Sequence, residues 1–488
     1  MQLSPLAFIP AVWQVTLLVA TFLVALAAAL SAVLFKREPR SAAMWLAIIL
    51  LVPLLGGLLY FLFGRNRIER RAVALRRGRQ MFYQSAGDHE ISREELERLV
   101  LGNEAAHFAA QATLVGSSSP QPLVRGNVIT PLVDGTMAYP EMLAAIAGAT
   151  KSISLATYIF DNDPSGAEFV DALAAAVERG VQVRVLIDAA GARYSWAPIT
   201  RVLRRRGVTV ARFLPTLTPG RLFVMNLRNH RKLLVIDGEL GFTGGMNIRH
   251  GNMLGEGCKH PIRDIHFRVE GPVVSQLQET FAEDWCFTTD ESLEGRAWFA
   301  ELREAGELVA RGIADGPDAD YDKLSLAILG AIGAARESVH VMTPYFLPES
   351  TLISALNLAA MRGVDVHIVI PERNNIRTVG WACDALLPQV LERGCRVWKS
   401  PPPFDHSKMI VVDGHYTLIG STNLDPRSLA LNFEYNLESY SEALAEQLDA
   451  IFCERRDGAR ELTLEEVKMR PLVVRMRNGV ARLLVPFL

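Results

Sequence analysis

The stretches NHRKLLVIDGELGFTGGMN (229–247) and DHSKMIVVDGHYTLIGSTN (405–423) repeat one pattern, and every position of the second lies 176 residues after its counterpart in the first. His, Lys, Asp, Gly and Asn coincide. A single H-x-K match would mean little, whereas five polar or special residues repeated at identical spacing are poorly explained by chance. The chain therefore contains two copies of a unit that carries one histidine and one lysine each.

The repeat extends upstream of these stretches. KSISLATYIF (151–160) matches ESVHVMTPYF (337–346), and RGVQVRVLID (179–188) matches RGVDVHIVIP (362–371). The apolar β-branched runs are typical of buried strands, and the Ala- and Leu-rich sequence between them is typical of helices. The pattern predicts an α/β fold in which two tandem sandwich halves pack as a pseudo-dimer.

Histidine and lysine lie two positions apart in each copy. Side chains two apart on an extended strand share a face, so His230 lies beside Lys232, and His406 beside Lys408. An imidazole can attack phosphorus or protonate a leaving oxygen, and an ammonium group offsets charge on the non-bridging oxygens. The two copies together predict one phosphodiester site with a nucleophile and an acid.

The remaining motif residues divide into hydrogen-bond donors and turn formers. Asn247, Asn423 and Ser421 are predicted to donate hydrogen bonds to the phosphate. Asp237 and Asp413 complete the predicted catalytic motif, but each precedes a glycine where a strand should turn. We therefore expect these two carboxylates to have turn and scaffold roles.

Composition excludes several classes of protein. A net charge of -2 gives no global basic field of the kind that holds nucleic-acid backbones. The five cysteines show no C-x-x-C spacing, so neither a disulfide framework nor a zinc site is indicated.

Two apolar runs near the N-terminus, 11–35 and 42–64, contain no Asp, Glu, Lys or Arg. Each is long enough to cross a hydrocarbon core of about 30 Å, which predicts two membrane helices. A cleaved signal peptide is the alternative for the first run, but no basic residue precedes that run. The seven Arg residues of 65–79 favour a cytoplasmic location for the body, although the basic loop 36–40 opposes this orientation. The stretch PLLGG (53–57) leaves open that the second run is a hairpin that does not fully cross the membrane.

The paired H-x-K-x4-D-x6-G-x-x-N elements resemble the phospholipase D superfamily, and the whole chain resembles its bacterial cardiolipin synthase branch. The likeness also rests on YFLFGRNR (60–67), YIFDNDPSG (158–166), RDIHFRVEGPVV (263–274) and LDPRSLALNFEYN (424–436). The resemblance implies two phospholipase D-like halves that share one active site, with no metal and no other cofactor.

The resemblance also implies roles for individual residues. One motif histidine carries the phosphatidyl group while the other acts as acid and then base, and His230 is favoured as the nucleophile. Asp264 and Glu434 match the carboxylates that orient the imidazoles. Asp405, directly before His406, agrees with an acid role for this histidine, because a neighbouring carboxylate favours a protonated imidazole.

These features divide the chain into five predicted parts. They are a membrane anchor (1–64), a basic juxtamembrane linker (65–125), the first half (126–312), the second half (313–460) and a basic amphipathic C-terminal segment (461–488). The Arg residues spaced among apolar residues at 468–488 suit an interfacial helix, and packing against the body is the alternative.

The leading interpretation is a phosphatidyltransferase of the bacterial inner (plasma) membrane. It would join two phosphatidylglycerols into cardiolipin and release glycerol, with phospholipids as its partners. Alternatives are a phospholipase D-type hydrolase or headgroup exchanger, a membrane-tethered nucleic-acid phosphodiesterase, and an inactive lipid-binding scaffold. The sequence has no extended basic groove pattern, which disfavours nucleic acid, and the intact His, Lys and Asn of both copies disfavour the scaffold. Gly245, opposite Ser421, and the unusual stretch 250–261 bear on the choice of substrate.

Overall fold

The computed structural model describes residues 5–36, 39–64, 89–98, 105–191, 198–214, 227–255, 258, 260–317 and 322–485 of the chain. The described residues form an N-terminal unit and a larger body. The Arg-rich stretch 65–79 predicted from the sequence lies outside the described residues.

The first apolar run forms one unbroken helix, Pro5–Phe35. Its part from Trp13 to Phe35 has 23 residues and a mean hydropathy of 2.6. At about 1.5 Å per residue this length covers a bilayer core. Among the described residues it is the one helix that is long and apolar enough to span a membrane.

The second apolar run is divided into three segments, Pro39–Leu51, Pro53–Leu59 and a π-helical turn at Tyr60–Gly64. The break falls at Val52, whose φ of -136° and ψ of 77° leave the helical region. A residue before proline is disfavoured in that region, and proline has no N–H for the helix ladder. The second apolar run is therefore a broken helix, in line with the hairpin that the sequence left open at 53–57, and it is too short in each segment to be counted as a span beside the first helix.

The three segments fold back on the first helix. The Tyr60 hydroxyl donates to Ser31 Oγ at 3.1 Å, and the Tyr60 ring packs edge-on against Trp45 at 5.5 Å. Apolar residues of both arms, including Ala28 and Ile49, are buried between them. The N-terminal unit is thus a helical hairpin.

The body contains two copies of one strand arrangement. The strands of the first half are β1 (Val124–Val133), β2 (Ser152–Thr157), β3 (Gln182–Asp188), β4 (Thr209–Phe213), β5 (Arg228–Asn229), β6 (Leu233–Ile236), β7 (Leu240–Gly244), β8 (Ile262–Arg263) and β9 (Ile265–Glu270). Those of the second half are β10 (Leu308–Asp315), β11 (Ser338–Met342), β12 (Asp365–Pro371), β13 (Arg396–Ser400), β14 (Phe404–Asp405), β15 (Met409–Val412), β16 (Tyr416–Gly420), β17 (Asn432–Tyr440) and β18 (Arg460–Leu462).

All of these strands except β8 and β14, which pair with each other, belong to one continuous sheet, in which β18 lies at the edge beside β13 and β5 pairs with β17. The order is β4-β3-β2-β6-β7-β9-β1 in the first half and β13-β12-β11-β15-β16-β17-β10 in the second, and antiparallel pairing of β1 with β10 joins the halves. β2 is buried at all six positions, so both of its faces are covered by other elements. The predicted α/β fold with two tandem halves forming a pseudo-dimer is confirmed.

Helices connect and cover the strands. In the body they are Arg93–Leu96, Phe108–Ser118, Asp134–Gly148, Pro164–Glu178, Ile199–Arg205, Val274–Thr289, Lys323–Ala334, Ser350–Met361, Arg377–Leu391, Pro426–Ala430, Glu442–Asp457, Leu464–Lys468 and Leu472–Leu483. Each half has its own apolar core. Packing in the two cores holds the sheet in place, and the sheet in turn determines where the ends of its strands meet.

Candidate active site

A cavity of about 720 Å³ is lined by residues of both halves. His230 and Asn247 reach it from the first half, and His406 and Asn423 from the second. A cavity of this volume is within the range of small-molecule sites. The two copies of the motif therefore meet at one place.

Short strands hold each histidine against the opposite half. β5 pairs with β17, and the His230 N–H donates to the carbonyl oxygen of Phe433 at 2.8 Å. In the same way β14 pairs with β8, and the His406 N–H donates to the carbonyl oxygen of Arg263 at 2.7 Å. Each half thus lends a short strand to the other, and we call this the exchange of β5 and β14. Because the residue after each acceptor is a carboxylate, the exchange brings a carboxylate of one half to the histidine of the other.

The two imidazole–carboxylate contacts are crossed between the halves. Glu434 Oε2 lies 3.0 Å from His230 Nδ1, and Asp264 Oδ2 lies 2.8 Å from His406 Nδ1. Because each Nδ1 is engaged, Nε2 is the nitrogen left for chemistry. The sequence identified these four residues but not which carboxylate meets which histidine.

The two carboxylates have unequal sets of donors. Glu434 accepts from the Ser421 hydroxyl and from Asn432 Nδ2 at 3.1 Å. Asp264 has no corresponding serine, because Gly245 stands at the position equivalent to Ser421. A Cβ atom at Gly245 would lie 2.4 Å from Asp264 Oδ1. Ser421 is fully buried on Glu434. The structure thus directs its hydroxyl to a carboxylate and not, as predicted, to the cavity.

Burial and donors set the ionisation of the two carboxyl groups. Burial raises the pKa of Asp264 to about 7, against the opposing charge of Lys408. Burial also opposes ionisation of Glu434, but His230, Lys232 and the Ser421 hydroxyl together hold its pKa below the usual value. At neutral pH Glu434 is therefore ionised, whereas Asp264 is partly protonated.

Burial also shifts the basic groups of the site. Burial lowers the pKa of His230. Burial and the charge of Lys408 together hold the pKa of His406 well below its usual value. Burial lowers the pKa of Lys232 to about 7 and that of Lys408 to about 8. Lys232 Nζ donates to the His230 carbonyl at 2.6 Å, and Lys408 Nζ lies 2.9 Å from His406 Nδ1. Neither lysine is among the described residues that line the cavity, so each lies behind its histidine.

The two asparagines are held by hydrogen bonds at the cavity wall. Asn247 Oδ1 accepts from the Ile159 N–H at 2.9 Å, which leaves its NH2 group to donate. Asn423 lies 3.1 Å from Ser428 Oγ through its Nδ2, while its buried Oδ1 has no partner among the described residues. The opposite amide orientation lets Oδ1 accept from the Ser428 hydroxyl and frees the NH2 group.

Comparison with known proteins identifies the family. A family model described as cardiolipin synthase, PLD-like domain, matches residues 142–285 and 328–456, and one described as phospholipase D-nuclease N-terminal matches 23–65. The chain belongs to the phospholipase D-like cardiolipin synthase family. It is therefore an enzyme of the phosphatidyltransferase class.

Similarity to individual family members extends over nearly the whole chain. The chain is 30% identical to cardiolipin synthase 2 of Staphylococcus epidermidis over 97% of its length and 98% of that protein. It is 31% identical to the major cardiolipin synthase of Bacillus subtilis over 93% of its length and 96% of that protein. The crystal structure of a phosphatidylserine synthase from Haemophilus influenzae matches 78% of the chain and all of its own with a TM-score of 0.61, and at 17% identity it supports the fold alone.

The motif aspartates of this cardiolipin synthase family member lie at hairpin turns. The Asp237 carboxylate accepts the backbone N–H groups of residues 150–152 at 2.7–2.9 Å. Asp413 accepts those of 336–338, each at 2.8 Å. Both have positive φ, 55° and 49°, and each precedes a glycine with positive φ, as a two-residue hairpin requires. This placement outside the cavity agrees with the scaffold role expected from the sequence.

Asp405 has a different environment from the one expected. Its carboxylate accepts the N–H of Ser407 at 2.9 Å and lies 3.3 Å from the Arg455 guanidinium. The pKa of His406 is lowered, chiefly by burial. The prediction that Asp405 favours a protonated His406 is wrong, because adjacent residues of a strand point to opposite faces.

Several residues around the cavity had no predicted role. The Tyr158 ring packs edge-on against His230 at 5.2 Å, and the Tyr345 ring against His406 at 5.9 Å. Both tyrosines lie in the repeated segments 151–160 and 337–346, and this was the sequence signal that could have identified them. Arg228 also lines the cavity. Its position two residues before His230 could have placed it on the same strand face.

Proposed function

We propose that this enzyme makes cardiolipin from two phosphatidylglycerols, releases glycerol, and carries the phosphatidyl group on His230. The observation that supports this most is the unequal pair of imidazole–carboxylate contacts on one cavity. An ionised Glu434 lies beside His230, and Asp264, with a pKa of about 7, lies beside His406. The His230–Glu434 pair thus suits a nucleophile, and the His406–Asp264 pair holds a proton that an acid can donate.

In the first step His230 Nε2 attacks phosphorus, and the bond from phosphorus to the glycerol oxygen breaks. Glu434 accepts the Nδ1–H of His230 and stabilises the positive charge that develops on the imidazole. His406 donates its Nε2 proton to the departing oxygen, and the protonated Asp264 replaces it at Nδ1. The second imidazole therefore remains neutral throughout.

In the second step the hydroxyl of another phosphatidylglycerol takes the place of the departed glycerol. His406 Nε2 accepts its proton while the Nδ1 proton returns to Asp264. The oxygen attacks phosphorus, the bond to His230 breaks, and the free imidazole is restored. The covalent intermediate keeps the energy of the phosphodiester bond, so no further source of energy is needed.

The other polar groups stabilise charge or hold the reacting groups in place. The NH2 groups of Asn247 and Asn423 are assigned to donate to the phosphate oxygens, and Lys232 and Lys408, which do not line the cavity, are assigned to offset the phosphate charge through their own positive charge. Ser421 is assigned to hold Glu434 ionised, in place of the phosphate contact expected from the sequence. Asp237 and Asp413 are assigned to the fold.

Membrane attachment supplies both lipid substrates at high local concentration. We assign residues 1–64 to the anchor in the plasma membrane and the rest to a cytoplasmic body ending in the segment 461–488. The linker that begins at 65 is ended before the helix Phe108–Ser118 and not at 125, because that helix packs in the core of the body. Within the body, 126–312 is assigned to the first half and 313–460 to the second, and β10 crosses this boundary. Phospholipid is the assigned partner, and nucleic acid is not.

A product analysis tests the proposal. The purified full chain is incubated with phosphatidylglycerol vesicles, and the lipid products and released alcohol are identified. Cardiolipin and glycerol in equal amounts are expected. Phosphatidic acid as the sole lipid product would replace the synthase with a hydrolase, and phosphatidyl transfer only to added alcohols would replace it with a headgroup exchanger.

A further inference from the structure

The last helix of the body, Leu472–Leu483, packs through one face. Its Asn478 and Ala481 are buried. The Arg477 guanidinium lies 4.5 Å from the ring centre of Trp381, which belongs to the helix Arg377–Leu391. Just before the last helix, Arg470 pairs with Asp384 of the same neighbour at 2.9 Å. Packing against the body, which was the alternative offered by the sequence, is thus observed for this face of the helix.

The opposite face of the last helix is apolar and open to solvent. Its side chains are exposed by 69% at Leu472, 78% at Val473, 63% at Met476, 62% at Val480 and 71% at Leu483. These positions follow the helical spacing i, i+1, i+4, i+8 and i+11, so they form one stripe. Contiguous apolar surface of this kind on a folded chain indicates an interaction site.

The charge within the last helix itself is of one sign. Residues 472–483 contain Arg475, Arg477 and Arg482 and no Asp or Glu, whereas the Lys468 and Arg470 that precede the helix are paired with Glu392 and Asp384. A cationic helix with an apolar face has the composition of helices that lie in a membrane interface. Its charge is complementary to an anionic phospholipid surface.

The neighbour of this helix also forms part of the active-site wall. Ile376 and Val379, at the start of the helix Arg377–Leu391, line the cavity. Trp381, which contacts the last helix through Arg477, lies five residues after Ile376, or about 7.5 Å along a helix axis. The helix that carries the outward-facing stripe is therefore packed against an element that supplies part of the apolar wall of the cavity.

We propose that the helix Leu472–Leu483 lies in the headgroup region of an anionic bilayer with its stripe among the first acyl carbons. This contact holds the Ile376 wall of the cavity close to the lipid, so that an acyl chain stays near the bilayer while its headgroup reacts. The inference rests on the proposed lipid substrate. It gives the body a membrane contact of its own, separate from the N-terminal helix.

Photocrosslinking of the full chain tests the contact directly. Met476→p-benzoylphenylalanine is prepared in protein reconstituted into nanodiscs of phosphatidylglycerol and phosphatidylcholine, with Leu358→p-benzoylphenylalanine as the matched control, because Leu358 is a helical residue exposed by 57%. A phospholipid adduct at position 476 and much less at 358 is expected. Crosslinks to a second copy of the chain, adducts to protein alone, or equal lipid capture at both positions would each overturn the proposal.

A rate measurement separates this inference from the proposed reaction. The double variant Val473→Glu, Met476→Glu places negative charge on the stripe. We expect its turnover in phosphatidylglycerol nanodiscs to fall about tenfold relative to its turnover of monomeric short-chain phosphatidylglycerol, because the local substrate advantage is lost. An unchanged ratio refutes the membrane contact, whereas absence of cardiolipin from the unmodified enzyme would refute the proposed function and leave the crosslinking result intact.

Discussion

Replacement of Ser421 by alanine should weaken the nucleophile without altering the cavity. The Ser421 hydroxyl donates to Glu434, which contacts Nδ1 of His230. A hydrogen bond to a charged group contributes roughly 1.5–3 kcal/mol, and about 1.4 kcal/mol corresponds to one pKa unit. The substitution should therefore raise the pKa of Glu434 by roughly one to two units.

The sign of the effect on activity follows from the mechanism. Attack by His230 needs an ionised Glu434, and a raised pKa means that this carboxylate becomes protonated at a higher pH. In the Ser421→Ala enzyme the acid limb of kcat/KM should move upward by roughly one to two units. The assay is release of labelled glycerol from phosphatidylglycerol micelles across the pH range.

A neighbouring hydroxyl provides the control. Thr422 is also buried, and its Oγ1 donates to Asn436 at 2.7 Å without touching either carboxylate. Thr422→Val should leave the pH profile in place. If Ser421 bound the substrate phosphate, its loss would raise KM with no shift in pH. An unshifted acid limb in Ser421→Ala, or the same shift in both variants, would refute the reasoning.

Four further predictions follow from the site. With a phosphatidyl donor that has a p-nitrophenol leaving group and needs no acid, His406→Ala should still form a covalent enzyme adduct by mass spectrometry and His230→Ala should not; an adduct on the His406 peptide reverses the roles. Gly245→Ala should slow phosphatidylglycerol turnover about tenfold or more, because the new Cβ, 2.4 Å from Asp264 Oδ1, displaces that carboxylate from His406; turnover at the unmodified rate contradicts this. Asp413→Asn should lower the free energy of unfolding in detergent by about 2–4 kcal/mol, since three backbone N–H groups lose a charged acceptor, while the rate per folded molecule is kept; a stable but inactive variant would place this carboxylate in the chemistry. Activity should survive chelation of divalent cations, because the lysine and asparagine donors already supply positive potential at the phosphate; a full loss that is restored by added metal would disprove it.

Local patterns predicted most of the architecture. The duplication, the strands on either side of His230 and Lys232, and the turn at Asp237 depend on neighbours along the chain, and such features can be read from spacing. The break in the second apolar run was visible at Pro53, but its outcome depends on how Tyr60 packs against the first helix. Sequence spacing alone does not determine that packing.

Contacts between the halves could not be predicted in the same way. His230 and Glu434 are 204 residues apart, and Asp264 and His406 are 142 residues apart. Their crossed pairing follows from the exchange of β5 and β14, which are two residues long and leave no periodic signal. The contact between Ser421 and Glu434 lies within the second half, where the two residues are 13 apart and stand at neighbouring ends of β16 and β17. Only its link to His230 depends on the pairing between the halves.

The exchanged strands also have a consequence for biosynthesis. The ribosome adds His230 long before Glu434, which comes 204 residues later. The N-terminal part of a chain generally folds first during translation. In the proposed mechanism, a growing or prematurely terminated polypeptide that ends before residue 434 has the His230 imidazole without the carboxylate that stabilises its positive charge. We therefore expect the nascent enzyme to be inert toward the lipids around it until both halves have been synthesised and docked.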